Sequence, residues 1–113
     1  MTEVRLQPEP TFEAPVKIHV PGKGELEMNW TFRYRNAEEV LKFQRKWTGG
    51  EGSRKKTDDF DSIGYIMDMA AGWELTEEFN KKNVETFFRN YPTSATKVVS
   101  TYFEELAGAR RKN

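Results

Sequence analysis

Between Glu25 and Arg35 the stretch E-L-E-M-N-W-T-F-R-Y-R alternates polar and apolar residues without a break, which puts Leu26, Met28, Trp30, Phe32 and Tyr34 on one side. A period of two sustained over this length belongs to a half-buried strand, because a helical stripe recurs every three or four residues. Val16 to Val20 (V-K-I-H-V) alternates in the same way. Pro21-Gly22-Lys23-Gly24 between them suits a tight turn: proline presets the second turn position and glycine accepts the positive φ that follows. The pattern predicts an antiparallel hairpin over residues 16–35 with one apolar face. A lone ribbon is marginal in water, so other elements must cover that face.

Helical spacing follows. Asn36 with Glu39 forms a capping box, and Val40, Leu41, Gln44 and Trp47 recur at helical intervals, predicting a helix over 37–48 that ends at Gly49-Gly50. The basic run from Gly49 to Lys56 reads as a flexible loop. Thr57, Asp58 and Asp59 open a second helix, expected over 58–71 with the stripe Phe60, Ile63, Met67 and Ala70. Trp73 and Leu75 are expected in a connection. Thr76 or Asn80 caps a third helix over 77–91, carrying Phe79, Val84, Phe87, Phe88 and Tyr91. Pro92 separates it from a fourth over 93–110, with Ala95, Val98, Val99, Tyr102 and Leu106 inside. The expected fold class is α+β: an N-terminal hairpin packed by about four helices. Residues 1–15, with Pro8, Pro10 and Pro15, read as a flexible arm that is also the candidate source of a third strand, and residues 16–113 as one domain.

A chain of 113 residues suits one compact core, and with 36% hydrophobic and 13% aromatic residues it falls outside the disordered class. The absence of cysteine removes disulfides, thiolate nucleophiles and Cys-based zinc sites. No segment approaches the ~18 apolar residues of a membrane span, and the N-terminus lacks the apolar run of a signal peptide, so a non-secreted, soluble protein is expected. Net charge is zero but blocky: residues 1–32 carry −2, 33–56 carry +5, 57–79 carry −7 and 80–113 carry +4. Such blocks either neutralise one another in the fold or meet complementary patches on a partner.

Signals for chemistry are sparse. His19, the single histidine, falls on the polar face of a strand. Asp59 and Asp61 diverge by roughly 200° on a helix, so the Asp58, Asp59, Asp61 cluster fits helix N-terminal charge better than a cation site. Gly22-Lys23-Gly24 and Gly49-Gly50-Glu51-Gly52 lack phosphate-loop spacing. No enzyme, cofactor or metal is expected. Basic triplets at Arg54-Lys55-Lys56 and Arg110-Arg111-Lys112, with Arg33 and Arg35 on the hairpin's polar face, keep a small nucleic-acid-binding regulator as an alternative.

Residues 73–113 carry a more specific signal. Trp73 precedes an acidic helix start with Phe79 and Asn83, the helix runs to Tyr91-Pro92, and the next helix carries Ala95, Tyr102 and Leu106 before Ala109-Arg110 and Lys112-Asn113. This order resembles the C-terminal half of phage tail assembly chaperones. The resemblance implies a small protein of phage or prophage origin that acts in the host cytoplasm. It would bind the tape-measure protein, with tail-tube subunits as further candidates, and would be absent from the mature virion. Many members of that family are also made as a longer, frameshifted product. A structural tail or head–tail joining component is the alternative from the same setting.

A holder for a long, hydrophobic-striped helix needs an apolar groove. Phe87 and Phe88 point about 100° apart on a helix, as do Tyr102 and Phe103, so one narrow stripe cannot bury both members of each pair. Phe88 and Phe103 are the members expected to face a partner. The candidate partner-binding set is Phe87, Phe88, Val99 and Phe103 around Pro92, with Arg110 and Arg111, whose charge also favours a helix C-terminus. The opposed charge blocks would suit pairing between copies, so a homo-oligomer is expected as a possibility.

Overall fold

The computed structural model describes residues 6–48 and 61–108. Among these residues the fold is α+β, a three-stranded antiparallel sheet in the order β1-β2-β3 with four helices. Strands β1 (Thr11–Val20) and β2 (Gly24–Arg33) form the hairpin, in register from Thr11 opposite Arg33 to Val20 opposite Gly24. At its turn Lys23 N donates to Val20 O at 2.9 Å, with Pro21 and Gly22 in the middle and Gly22 at φ +84°. That is the arrangement of a type II turn, where the third position needs the left-handed backbone that glycine tolerates.

Residues 11–15 differ from the expected arm, since they already belong to β1. Phe12 and Ala14 continue the inward alternation of Val16 and Ile18. Pro15 had argued for an arm, but β1 is the edge strand of the sheet, where a missing N–H is tolerated. The third strand is also not the arm: β3 (Ala70–Trp73) pairs with β2, Trp30 opposite Trp73 and Phe32 opposite Ala70, with an irregularity at Thr31/Phe32 that leaves Ala71 as the extra residue.

All six central inward residues, Ala14, Val16, Ile18, Met28, Trp30 and Phe32, are buried, while Glu13, Lys17, His19, Glu25, Glu27 and Asn29 face water on the other side. Leu26, expected inside, is 46% exposed. The C-terminal helix α4 (Ser94–Ala107) packs along β1.

Helix α1 (Ala37–Thr48) starts from the capping box: Asn36 N donates to Glu39 Oε1 and Glu39 N to Asn36 Oδ1, both at 2.9 Å. Helix α2 (Ser62–Met69) is capped by Asp61, whose carboxylate accepts from Gly64 N at 2.9 Å. It stops before the expected residue 71 because Ala70 turns extended to enter β3. Asp58, Asp59 and the expected loop at 49–56 lie outside the described residues. Helix α3 (Lys81–Asn90) takes Asn80 rather than Thr76 as its cap, with Asn83 N donating to Asn80 Oδ1 at 2.8 Å. Helix α4 (Ser94–Ala107) follows Pro92 and ends where Gly108 turns left-handed at φ +68°.

The densest packing surrounds Trp30, which is 0% exposed. Trp73, Phe79, Phe87 and Phe88 lie with ring centroids 5.5, 5.9, 6.0 and 6.0 Å from it, and only Phe88 is parallel to it. Edge and face contacts of this kind add roughly 0.5–1.5 kcal/mol per pair beyond area burial. Trp30 Nε1 is the one buried side-chain polar atom among the described residues without a hydrogen-bond partner. Its surroundings are aromatic rings, whose faces are weak acceptors for N–H groups.

Candidate partner-binding surface

The N-terminal end of β3 is organised around a carboxylate. Asp68, in the last turn of α2, accepts at Oδ1 from Arg35 Nη2 at 2.9 Å. At Oδ2 it accepts from Lys46 Nζ at 3.0 Å and Trp47 Nε1 at 2.7 Å. Arg35 Nη1 also donates to the Asp68 carbonyl and to the Tyr102 hydroxyl, and that hydroxyl donates to Arg33 O at 2.9 Å. Asp68 thereby ties α2 to the end of β2 and to α1, and Arg35 extends the network to α4 through Tyr102.

Burial alone would raise the Asp68 carboxyl, but the hydrogen bonds from Trp47 and Lys46 and the charges of Arg35 and Lys46 outweigh it and hold it below the ordinary value of 3.8. Burial pushes the Tyr102 phenol up, against the lowering effect of Arg35, so the hydroxyl keeps the proton that it donates to Arg33. In the same way Tyr65 is raised by burial and by Tyr102. Arg35 was expected on the hairpin's polar surface; instead its side chain is 18% exposed and its guanidinium lies 4.2 Å from the Phe43 ring centroid. These pairs also show the +5 and −7 segments meeting inside one fold.

Helix α1 is held by this network and by a few large side chains. Phe43 is 4% exposed, with centroids 5.5 Å from Tyr65, 6.0 Å from Tyr102 and 6.2 Å from Phe103. The expected inward stripe of α1 is therefore rotated. Phe43 and Trp47 face the body, whereas Val40, Leu41 and Gln44 line an open cleft, and Leu41 is 55% exposed. The cleft lies between α1 and α4 and measures about 530 Å³. Val40, Leu41, Phe103, Leu106 and Ala107 make its apolar wall, and Tyr34, Arg35 and Asn36 form one end.

The residues singled out from the sequence do not share one groove at the Pro92 hinge. Phe103 lines the α1/α4 cleft. Val99 lines a second concavity of about 340 Å³ with Tyr65, Ile66 and Ala95, between α2 and α4. Phe87, 8% exposed, borders a smaller hollow of about 190 Å³ beside Trp73 and Asn83. Phe88 is half-buried on Trp30. Arg110 and Arg111 lie outside the described residues. Leu41 and Val40 were missed as surface candidates, although adjacent apolar residues on a helix diverge by about 100° and carry the same signal as Phe87 and Phe88.

His19 is exposed on the outer face opposite Glu25. Among the described residues no group of three or more His, Asp or Glu side chains is placed to hold a metal ion. No described helix is long and apolar enough to cross a membrane. Residues 1–113 match the family described as phage tail assembly chaperone. The chain belongs to the phage tail assembly chaperone family. No curated protein and no solved structure matches it. In this tail assembly chaperone the residues noted in the resemblance serve first as framework. Trp73 pairs across from Trp30, Asn83 Nδ2 donates to Glu78 O at 2.8 Å, and Ser94 fastens the Tyr91-Pro92 corner by donating from Oγ to Tyr91 O at 2.6 Å.

Proposed function

We propose that the chain holds the tape-measure protein during tail assembly by seating one of its amphipathic helices in the α1/α4 cleft. The observation that carries this reading is the open apolar wall of Val40, Leu41, Phe103, Leu106 and Ala107, with Leu41 more than half exposed to water. A helix-in-groove contact needs such a wall to receive apolar side chains spaced i, i+3, i+4 and i+7 on the partner. Arg35, Asn36 and Gln44 at the margin supply polar groups that would fix orientation. Binding of this kind keeps an aggregation-prone helix from finding others like it, and it is reversible when the helix is transferred to the growing tube. Tail-tube subunits are a second candidate cargo. The holder acts in the host cytoplasm, needs no cofactor and performs no catalysis.

Co-expression tests the reading. The tape-measure protein should be soluble and co-purify with the wild-type chain, and should fall back into the pellet with a folded Leu41→Asp variant. An insoluble, unbound tape measure in the presence of wild-type chain would overturn it. Detection of the chain in purified virions would favour a structural tail or head–tail joining component instead.

A further inference from the structure

We propose that the α1/α4 cleft is one half of a longer groove, and that a single amphipathic helix of the tape-measure protein lies along α4 and fills both halves. The other half is the concavity between α2 and α4. This rests on the reading of the cleft as the tape-measure site, and loss of the second half would leave that reading intact.

The groove is a property of α4. One face of this helix buries Ser94, Val98, Thr101 and Tyr102. On another, Ala95, Val99, Phe103 and Leu106 recur at helical spacing and are half-buried. Thr96, Ser100 and Ala107 share that second face and are exposed. At ~100° per residue, the sector these residues span is roughly 140° wide. None of them is charged, because Lys97, Glu104 and Glu105, the charged residues of α4, all fall outside the sector. In a chain with 32% charged residues, a helix face that is uncharged over its full length and only half covered is suited to contact.

The two concavities lie end to end on this face. Ala95, Thr96, Val99 and Ser100 line the hollow of about 340 Å³, whose far wall is Tyr65 and Ile66 of α2. Phe103, Leu106 and Ala107 line the cleft of about 530 Å³, whose far wall is Val40 and Leu41 of α1. The walls join where the Tyr65 and Phe43 rings stack at 5.5 Å and Phe43 reaches Phe103 at 6.2 Å. From Ala95 to Ala107 the face is about 18 Å long, room for about three turns of a second helix. An extended peptide would need main-chain partners that a helix face lacks, so the fitting occupant is a helix with apolar anchors at i, i+4, i+7 and i+11.

The rim adds a direction. Beyond Ser100 and Ala107 around α4 come Glu104 and Lys97, both exposed and neither in an ion pair among the described residues. Lys97 stands beside the α2/α4 half and Glu104 beside the cleft, about two turns apart along the helix. The groove therefore favours a partner helix that sets a carboxylate next to Lys97 and a cation next to Glu104, which fixes its direction along α4.

Titration with the tape-measure protein tests the groove. Thr96→Glu puts a carboxylate into the α2/α4 half at an exposed position in the first turn of α4, where the helix dipole favours it, so the melting curve should stay in place. Tape-measure affinity should nonetheless fall about tenfold or more, because the partner must desolvate that charge, and Thr96→Val should leave it within about threefold. Lys97→Glu should weaken binding a few-fold at low salt and much less at high salt. An environment-sensitive dye on a Ser100→Cys variant, in a chain with no other cysteine, should shift to the blue in the complex. An unshifted dye in a formed complex would overturn the groove and leave the cleft reading in place. So would a Thr96→Glu affinity within about threefold of wild type while Leu41→Asp loses more than about tenfold. Undiminished low-salt binding by Lys97→Glu would overturn the charge placement on the rim. If wild-type chain does not bind the tape measure at all, the groove and the cleft reading fall together.

Discussion

The two ends of β3 solve the same problem with different materials. At the Trp73 end Trp30 is sealed by Trp73, Phe79, Phe87 and Phe88, rings against rings, with no hydrogen bond from its indole nitrogen. At the Asp68 end a helix is hung on a carboxylate that collects Arg35, Lys46 and Trp47, and next to it an apolar cleft stays open. Apolar packing is non-directional and resists opening because every contact is lost together. A hydrogen-bonded latch fixes orientation while committing little area, so the helix that it holds can yield to a partner. The contrast sets a closed, stabilising end against the end where the proposed binding cleft lies.

The largest effect expected is on the closed end. Trp30→Ala should cost about 3–5 kcal/mol, enough to threaten a small domain, and chemical denaturation would read it as a lower midpoint. A loss under 1 kcal/mol would mean that the cage is not the main source of stability. Asp68→Ala should cost about 1–3 kcal/mol, because Arg35 and Trp47 lose their acceptor while half-buried. Its signature differs from that of Trp30→Ala: hydrogen exchange should quicken in α1 and stay slow in β2 and α3. Uniform quickening would erase the distinction between the two ends.

Acid probes the same latch without mutation. Because the Asp68 value is depressed in the fold, its contribution is fully present above the ordinary value of 3.8 and disappears as pH falls through the lowered one. Exchange in α1 should therefore rise below pH 4 before the tryptophan cage opens, and Asp68→Asn should flatten that dependence. Phe103→Ala should be milder than either core change, roughly 1–2 kcal/mol, since the ring is half-buried against Phe43 and Tyr102. Outright unfolding of this variant would move Phe103 from the binding wall into the framework.

The hairpin and the helix starts were legible because their causes are local. Alternation through Trp30 and Phe32, the turn at Pro21-Gly22, and the caps Asn36 and Asn80 all act within a few residues, so a sequence pattern records them. Strand β3 was not legible: Ala70-Ala71-Gly72-Trp73 has no alternation, and it is a strand only because the open edge of β2 lies beside it. The latch was hidden for a related reason. Arg35 and Asp68 are 33 residues apart, and neither residue announces its partner. Leu41 looked like core because helical spacing gives the direction of a stripe and not which of two adjacent stripes is buried. Phe43 took the inner position, with a larger ring and a cation above it.

The smallest expected change in stability is the most informative about function. Leu41→Asp alters a side chain already 55% exposed and away from the latch, so the fold should shift by no more than about 0.5 kcal/mol. A partner helix, however, must desolvate that position, and a carboxylate buried against aliphatic groups without a counter-charge is costly. Tape-measure binding should fall more than tenfold in a titration while the melting curve stays in place. The same change of one charge unit at an exposed position outside the cleft, such as Lys42→Gln, should leave binding within about threefold, which corresponds to about 0.7 kcal/mol. Equal losses from both variants would point to general electrostatics rather than the apolar wall. No loss from either would separate the cleft from the chaperone's work and return attention to the α2/α4 concavity around Val99.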